Sequence, residues 1–524
     1  MSGTADLSPG RALRARRGRV LRRILAVAAL PAALASPAAA SERTDTAIND
    51  AVARILVHSN PPDLFSPWQK SGVVPATGSG AVIQGRRILT NAHVVVDAVS
   101  IEVKRAGMSS RFAARVLFVG HDCDLALLSV EDAEFFEGVR PLAVGELPAA
   151  QSEVQAYGFP IGGETISVTA GVLSRVEVGT YVHSMEDLLL AQIDAPINPG
   201  NSGGPVVAGG KLIGVAMQTL EESENVGYMV PAPVIEHFLR DVEDGRYDGF
   251  PRLGAEVQDL ESPAMRARLG MGEERTGALV SRIDHGGPAD GLLRTGDVLT
   301  ELDGHSVAND WTVEWPGVGR VLAEVVVQSR QIGDALRATI LRDGKNVDLT
   351  LKLVAHQRLV PGRRAEGGPQ YLVFGGLVFQ PLTFEYLQYF EDVPMDLANH
   401  ALYYNVATDE RRQIILLQKV LPHAVNRGYH EWEDIVVATV NGTAPRDMRH
   451  LAQILDGAAG PWLTIVSDDV AMLALDLEAA RAAQPEILAA FGISRDRSPD
   501  LEPGTAAPRR HVEARKVAAR DQSP

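Results

Sequence analysis

Asn198-Pro199-Gly200-Asn201-Ser202-Gly203-Gly204-Pro205 sets one serine among glycines that let the backbone fold tightly around it. A tetrahedral acyl intermediate needs backbone N–H groups aimed at one developing negative oxygen. The candidates here are the amides of Gly200, Asn201 and Ser202, and glycine keeps side chains out of the path of an incoming carbonyl. Taken alone, the stretch also fits an ordinary glycine-rich surface turn. Two upstream segments decide between these readings. Arg87-Ile88-Leu89-Thr90-Asn91-Ala92-His93-Val94-Val95 is an apolar strand running into a small-residue turn that carries His93. His121-Asp122-Cys123-Asp124-Leu125-Ala126-Leu127-Leu128 puts Asp124 at the head of an apolar strand.

The order His93, Asp124, Ser202, separated by 31 and 78 residues, is the chymotrypsin order of a catalytic triad rather than the subtilisin or α/β-hydrolase one. In that arrangement Ser202 Oγ is the nucleophile and His93 the general base and then acid. Asp124 holds the imidazole tautomer and stabilises its cation. With TNAHVV, DLALL and NPGNSGGP in place, the chain from about Ile55 to about Leu475 resembles the HtrA/Deg family of serine proteases. Phe65-Ser66-Pro67-Trp68-Gln69, Gly171-Val172-Leu173-Ser174-Arg175-Val176-Glu177 and Glu224-Asn225-Val226-Gly227-Tyr228-Met229-Val230-Pro231 resemble a branch known from plants, in which a protease domain precedes two PDZ-type domains.

The chain has 524 residues, 45% of them hydrophobic, which is enough for three domains with separate cores. Its N-terminus reads as a secretory signal peptide. Seven arginines between Arg11 and Arg23 precede the apolar run Ile24 to Ala35, and Ala38-Ala39-Ala40 stands before Ser41. That run is short for a spanning helix, which needs about twenty residues; an uncleaved anchor is the alternative. Paired arginines also raise twin-arginine export. Removing residues 1–40, which contain one acidic residue, takes the formal charge from −16 to −22. So acidic a chain argues against nucleic acid as a partner. After signal cleavage no further run approaches membrane-spanning length, and the expected location is periplasmic or otherwise exported. The single cysteine, Cys123, excludes an intrachain disulfide, and its two aspartate neighbours and burial both raise a thiol pKa, so it reads as inert.

Short β-patterned runs separated by Gly and Pro turns fill residues 48–240, among them Gly80–Ile83, Ile101–Val103 and Val154–Gly158. The expected fold is mainly β. With the resemblance, this implies a chymotrypsin-like double β-barrel (41–246) that ends in a helix over Pro231 to Asp244, followed by two PDZ-like α+β domains at 250–356 and 370–478. A linker at 357–369 joins them. Residues 479–524 read as a short helix and a disordered tail, the latter from Arg495 onward. The two PDZ-like segments carry a weak repeat: Gly296-Asp297-Val298-Leu299 with Leu302-Asp303-Gly304, then Glu433-Asp434-Ile435-Val436 with Val440-Asn441-Gly442.

For substrate selection, Pro196 stands six residues before Ser202 where a trypsin-like pocket needs an acid. Ile197 and Met217 are the candidate walls of a shallow apolar S1 pocket, or else core filling. The resemblance makes Leu220–Val226 and Glu177–Glu186 candidate regulatory loops. Arg252-Leu253-Gly254-Ala255 is the candidate loop for a peptide C-terminal carboxylate, with an edge strand starting at Ala255. Phe374-Gly375-Gly376-Leu377 is its poorer counterpart. The long segment Asn309–Gln331 is a candidate cover for the first groove. His121, His183 and His237 lack ligand-like spacing and read as solvated or capping residues, so no metal and no cofactor is expected. The resemblance implies cleavage of unfolded or damaged proteins and assembly as a homotrimer or multiple of three, with weak support from apolar Ile55, Leu56, Val57, Leu64 and Phe65, which are equally candidates for barrel core. A holdase with proteolysis secondary, or a dedicated processing protease, are the alternatives.

Overall fold

In a computed structural model, residues 47–505 are described, apart from 161–162, 220–225, 273, 356–357, 363–367 and 403–405. The signal-peptide reading of residues 1–40 and the tail beyond 505 lie outside the described residues.

Two closed six-stranded barrels open the fold. The first is built from β1 (Val52–Ser59), β2 (Val74–Ile83), β3 (Arg87–Thr90), β4 (Ala98–Arg105), β5 (Phe112–Gly120) and β6 (Leu125–Val130), in the order β1-β2-β3-β6-β5-β4. The second uses β7 (Glu153–Gly158), β8 (Ser167–Tyr181), β9 (Glu186–Ile193), β10 (Pro205–Ala208), β11 (Lys211–Thr219) and β12 (Gly227–Pro231), in the matching order β7-β8-β9-β12-β11-β10. Full closure leaves no exposed strand edge, and the apolar strands supply both cores, from Ile55, Leu89 and Leu127 to Leu173, Val206 and Met229. The closing helix is Ala232–Asp241, continued by a 3-10 turn to Asp244; Val234, Phe238 and Val242 are buried and Leu239 is half-buried.

Both parts of the sequence repeat fall on equivalent elements. Strand Val298–Leu302 runs into Asp303 (φ 46°) and Gly304 (φ 87°), and strand Ile435–Val440 into Asn441 (φ 47°) and Gly442 (φ 75°). Two successive left-handed residues make the tight hairpin turn that Asp-Gly and Asn-Gly favour. The first PDZ sheet runs Ala255–Gln258, Ala278–Ile283, Val298–Leu302, Ala335–Arg342, Lys345–Lys352. In the second, Leu372–Phe374 and Ile415–Val420 flank Leu377–Pro381, with Ile435–Val440, Trp462–Ser467 and Met472–Asp476 beyond.

Several sequence expectations change. The 357–369 segment is more than a linker, because Leu359 and Val360 are buried with Leu64, Leu382 and Tyr386. Residues from Arg495 are packed as far as they are described. Arg497 bridges Leu372 and forks onto Asp456 at 2.8 and 2.9 Å, and Leu501 is buried. One apolar anchor and one bidentate ion pair thus hold a stretch whose composition reads as disordered. Helix Leu477–Ala490 starts two residues early because Asp476 accepts from Ala479 N at 2.8 Å. The apolar residues offered for a trimer interface are used within the chain. Ile55 and Val57 are barrel core and Leu56 is half-buried, while Phe65 packs on Tyr386 at 5.5 Å and Tyr389 at 5.7 Å.

The first PDZ domain is seated on the protease through His237, which stacks on Phe250 (3.9 Å) and shares a hydrogen bond with the Arg330 carbonyl at 2.9 Å. So His237 is neither solvated nor a cap. Burial pulls its pKa down to about 4. Since the unfolded chain binds a proton near pH 6.5 and the folded chain only near 4, stability is full above 6.5 and falls as pH drops through that window, by at most about 3 kcal/mol. His237→Gln keeps an N–H donor without titrating. Thermal melts should therefore decline less steeply between pH 7 and 4 in the variant than in the wild type; equal slopes contradict the assignment.

Candidate active site

The serine loop joins β9 to β10 and lies where the barrels meet. Gly200 (φ 97°) and Gly203 (φ 84°) are left-handed, as the glycine pattern requires. A Cβ on Gly203 would lie 2.2 Å from both Ser79 O and Thr90 Oγ1, and one on Gly204 2.0 Å from Tyr157 O. Ser79, which sequence reasoning missed, anchors this loop from the first barrel. Its hydroxyl donates to Gly200 O at 2.7 Å and accepts from Phe159 N at 2.8 Å, while its amide donates to Ser202 O at 2.8 Å. The available signal was a serine between Gly78 and Gly80 at the middle of a β-run, where a Cβ on Gly78 would meet Val94 and Ser202 O.

His93 and Asp124 are brought together. His93 Nδ1 lies 2.7 Å from Asp124 Oδ2, and His93 N donates to Asp124 Oδ1 at 2.9 Å. Asp124 is fully buried with φ 51°, and Asn91 Nδ2 donates to its carbonyl at 2.9 Å. Burial alone pulls a histidine pKa down, but the Asp124 charge and hydrogen bond outweigh it and leave His93 above its ordinary value. Burial likewise acts to raise Asp124, and the contacts with His93 reverse that and hold its carboxyl below the usual range. Ser202 Oγ donates to Met217 O at 3.2 Å, so its hydroxyl is engaged there and not with His93. The Asn201 amide donates to Asn198 O at 2.9 Å and so is engaged within the loop.

A cleft of about 320 Å³ opens beside His93 and Asp124, walled by Met217, by Val182, His183 and Met185 between β8 and β9, and by Gly362, Phe384, Glu385 and Gln388 from the second PDZ side. Of the two S1 candidates, Met217 lines this cleft. Ile197 does not: it packs in the second barrel core, where a Cβ on Gly227 would touch it at 2.7 Å. The candidate loop Glu177–Glu186 shrinks to Val182–Met185, since Glu177 to Tyr181 is strand. Of Leu220–Val226, residues 220–225 lie outside the described residues. His121 and His183, expected as solvated or capping residues, face each other with Nδ1 and Nε2 2.9 Å apart, and the His183 ring is 6.2 Å from that of His93. Among the described residues no group of three or more His, Cys, Asp or Glu is placed to hold a metal ion. Cys123 is buried, and burial, then the Asp122 charge, push its thiol well above the ordinary range.

Arg252–Ala255 borders a cavity of about 790 Å³ between strand Ala255–Gln258 and helix Glu324–Gln328. Gly254 is left-handed (φ 72°), and the strand is the last of its sheet, paired on one side only among the described residues. Arg252 itself is drawn to Glu186, which also binds Arg358 at 3.0 Å. Asn309–Gln331 is a wall of this cavity rather than a cover. It forms the hairpin Thr312–Trp315/Gly319–Leu322 and then the groove helix. Phe374–Leu377 differs, because Leu377–Pro381 is already paired on both sides and Gly375 N donates to Gln484 at 2.8 Å.

Comparison with known proteins agrees with this architecture. A trypsin-like peptidase domain matches residues 78–215, and PDZ domains match 251–353 and 360–500. The fold and site therefore define a trypsin-like serine endopeptidase with two C-terminal PDZ domains. Protease Do-like 2, chloroplastic, of Arabidopsis thaliana is 39% identical over 463 residues, covering 87% of this chain and 76% of that protein. Putative protease Do-like 3, mitochondrial, of the same plant is 34% identical over 460 residues, covering 88% and 81%. The chain belongs to the HtrA/Do-like family of serine proteases. Among solved structures, an HtrA-type protease AlgW with tripeptide aligns with a TM-score of 0.47 and 24% identity, over 62% of this chain and 98% of that one.

The Ser79 contacts give a direct test. Ser79→Ala orphans Gly200 O and Phe159 N in a buried place and should cost about 2–3 kcal/mol, with slower peptide hydrolysis as Gly200 loosens. Gly203→Ala should destabilise by more, since both the backbone conformation and the space forbid a Cβ. Denaturant melts read both, and wild-type stability in Gly203→Ala would refute the close approach of the barrels.

Proposed function

We propose that His93, Asp124 and Ser202 form the catalytic triad of this endopeptidase and that its substrates are unfolded or damaged proteins in an exported compartment. The observation that carries the triad is the His93–Asp124 pair, doubly hydrogen-bonded at 2.7 and 2.9 Å beside the cleft that also holds Met217. In the reactive state the Ser202 hydroxyl leaves the Met217 carbonyl and donates to His93 Nε2 instead. Ser202 Oγ then attacks the scissile carbonyl as Nε2 takes its proton, and Asp124 stabilises the imidazolium. The amides of Gly200 and Ser202 receive the developing oxyanion. Collapse breaks the C–N bond while Nε2 returns the proton to the leaving amine. Water, deprotonated by the same imidazole, hydrolyses the ester and restores Ser202.

Met217 gives the cleft an apolar wall, which suits small aliphatic P1 side chains. Phe384, Glu385 and Gln388 form part of the cleft wall beside His93, so access for a long unfolded chain depends on how the second PDZ domain sits. The first PDZ domain receives peptide C-termini at Arg252–Ala255 by β-augmentation of Ala255–Gln258, since among the described residues its outer edge is unpaired. Assembly as a trimer or a multiple of three remains part of this reading through the family, without help from Ile55, Val57 or Leu64. Among the described residues no helix is long and apolar enough to cross a membrane.

Ser202→Ala should abolish casein hydrolysis and fluorophosphonate labelling, because triad members act as a unit. The labelling rate should fall below an acid limb whose midpoint lies above pH 6.5, since His93 must be neutral to act as base. Asp124→Asn should move that limb to lower pH as well as slow the reaction. A limb unchanged in Asp124→Asn speaks against the pair.

A peptide with an apolar free C-terminus should bind the full-length Ser202→Ala protein in calorimetry and lose at least about tenfold in affinity on amidation. Equal binding of both peptides removes Arg252–Ala255 as a carboxylate site.

A further inference from the structure

The turn that carries Asp124 is anchored from a side that the triad chemistry does not use. Two residues upstream, the Asp122 carboxylate accepts three hydrogen bonds: from the Tyr247 hydroxyl and Cys123 N (3.0 Å) at Oδ1, and from Phe250 N (3.2 Å) at Oδ2. Its main-chain carbonyl accepts from Ser184 Oγ at 2.8 Å. Tyr247 and Phe250 belong to the connector that leads from the closing helix into Arg252. The fit is close at both ends. A Cβ on Gly120 would lie 2.6 Å from the Tyr247 ring, and one on Gly249, itself left-handed at φ 90°, 2.8 Å from Asp122 Oδ2. The Tyr247 ring rests edge-on against Phe238 at 5.3 Å.

Asp124 needs such support. It is a non-glycine residue in the left-handed region, and within its own turn it has only a long hydrogen bond from its amide to His121 O, at 3.4 Å. Conformations of this kind persist where the surroundings over-determine them. Asn91 holds the far side, through the Asp124 carbonyl. On the near side, burial raises the Asp122 carboxyl above its ordinary range, while the Tyr247, Phe250 and Cys123 donors favour the charged form. Glu186 and Asp241 are the other charges that bear on it, and the adjoining cavity is walled by His121, Asp248, Arg252 and Arg358.

We propose that Asp122 is a positioning residue for Asp124, and that through it the connector Tyr247–Phe250 sets the geometry of the His93–Asp124 pair. The proposal rests on the triad reading above. The catalytic carboxylate is then clamped to the segment that carries the first PDZ domain, so a change in the seating of that domain reaches the base through one side chain.

The test uses full-length protein and two substitutions. Tyr247→Phe removes one donor and keeps the ring. Asp122→Asn keeps the shape but turns one acceptor oxygen into a donor facing N–H or O–H groups. Both should lower kcat on an unfolded protein about tenfold with KM within about twofold, since geometry and not substrate binding is altered. Both should also move the acid limb of fluorophosphonate labelling down by about half a unit, because a displaced Asp124 no longer supports the imidazolium as well. Thermal midpoints are measured alongside. If either variant is folded with wild-type kcat and a wild-type acid limb, whatever its melting point, Asp122 is merely structural and the proposal is overturned. Failure of the triad reading looks different: wild-type protein then resists labelling at Ser202 from the outset, and the proposal falls with it.

Discussion

The two barrels meet along a strip with no room for side chains, and the chemistry depends on that closeness. Ser79 N reaches Ser202 O and Ser79 Oγ reaches Gly200 O, so one residue of the first barrel fixes a loop of the second. At Gly203 a Cβ would sit 2.2 Å from Ser79 O and Thr90 Oγ1 of the first barrel, and at Gly158 3.0 Å from Ser79 Oγ. Packed interiors leave little slack for such groups to move aside. The glycines of the serine loop thus serve two demands at once: they allow left-handed backbone, and they let the loop lie flush against the barrel that carries His93 and Asp124.

The same sheet architecture serves different ends in the two PDZ domains, and the difference is one of edges. In the first, strand Ala255–Gln258 ends its sheet and faces a large cavity. In the second, the corresponding strand Leu377–Pro381 is flanked on both sides, and Gln484 of the C-terminal helix binds the loop before it, donating to Val373 O as well as accepting from Gly375 N. An unpaired row of N–H and C=O groups invites a further strand; a paired row does not. The second domain instead holds the segment around Leu64, Phe65 and Trp68. Gln380 donates to Leu64 O, Gln418 donates to Phe65 O, and Lys419 lies 5.4 Å from the Trp68 ring centre.

Charge organises the junction between these parts. Glu186, at the start of β9, draws in both Arg252 of the carboxylate loop and Arg358 of the segment between the PDZ domains, while Arg358 also donates to Met185 O. Met185 lines the cleft beside His93. Three chain segments far apart in sequence are tied to one carboxylate, next to the connector that seats Asp122.

The sequence by itself determined the strand-rich character of residues 48–240 and the order of the three candidate catalytic residues, because each rests on local chemistry, and the family resemblance those motifs carry supplied the double barrel and the paired PDZ units. Strand periodicity, Asp-Gly and Asn-Gly turns and a serine set among glycines are legible within ten residues. What only the tertiary structure decided depends on contacts between distant segments. Ile197 and Met217 look alike as S1 candidates and both are buried in hydrophobic core clusters, yet only Met217 also lines the cleft beside His93. Residues 357–369 and 495–505 read as linker and tail, since their composition is poor in large apolar groups, but Val360, Leu501 and Arg497 each find a partner that no local pattern announces. Ser79 and Asp122 are the clearest cases. Both are small polar residues whose roles come from hydrogen bonds spanning more than a hundred residues, to Gly200 and Tyr247, and such bonds exist only once the chain has closed on itself.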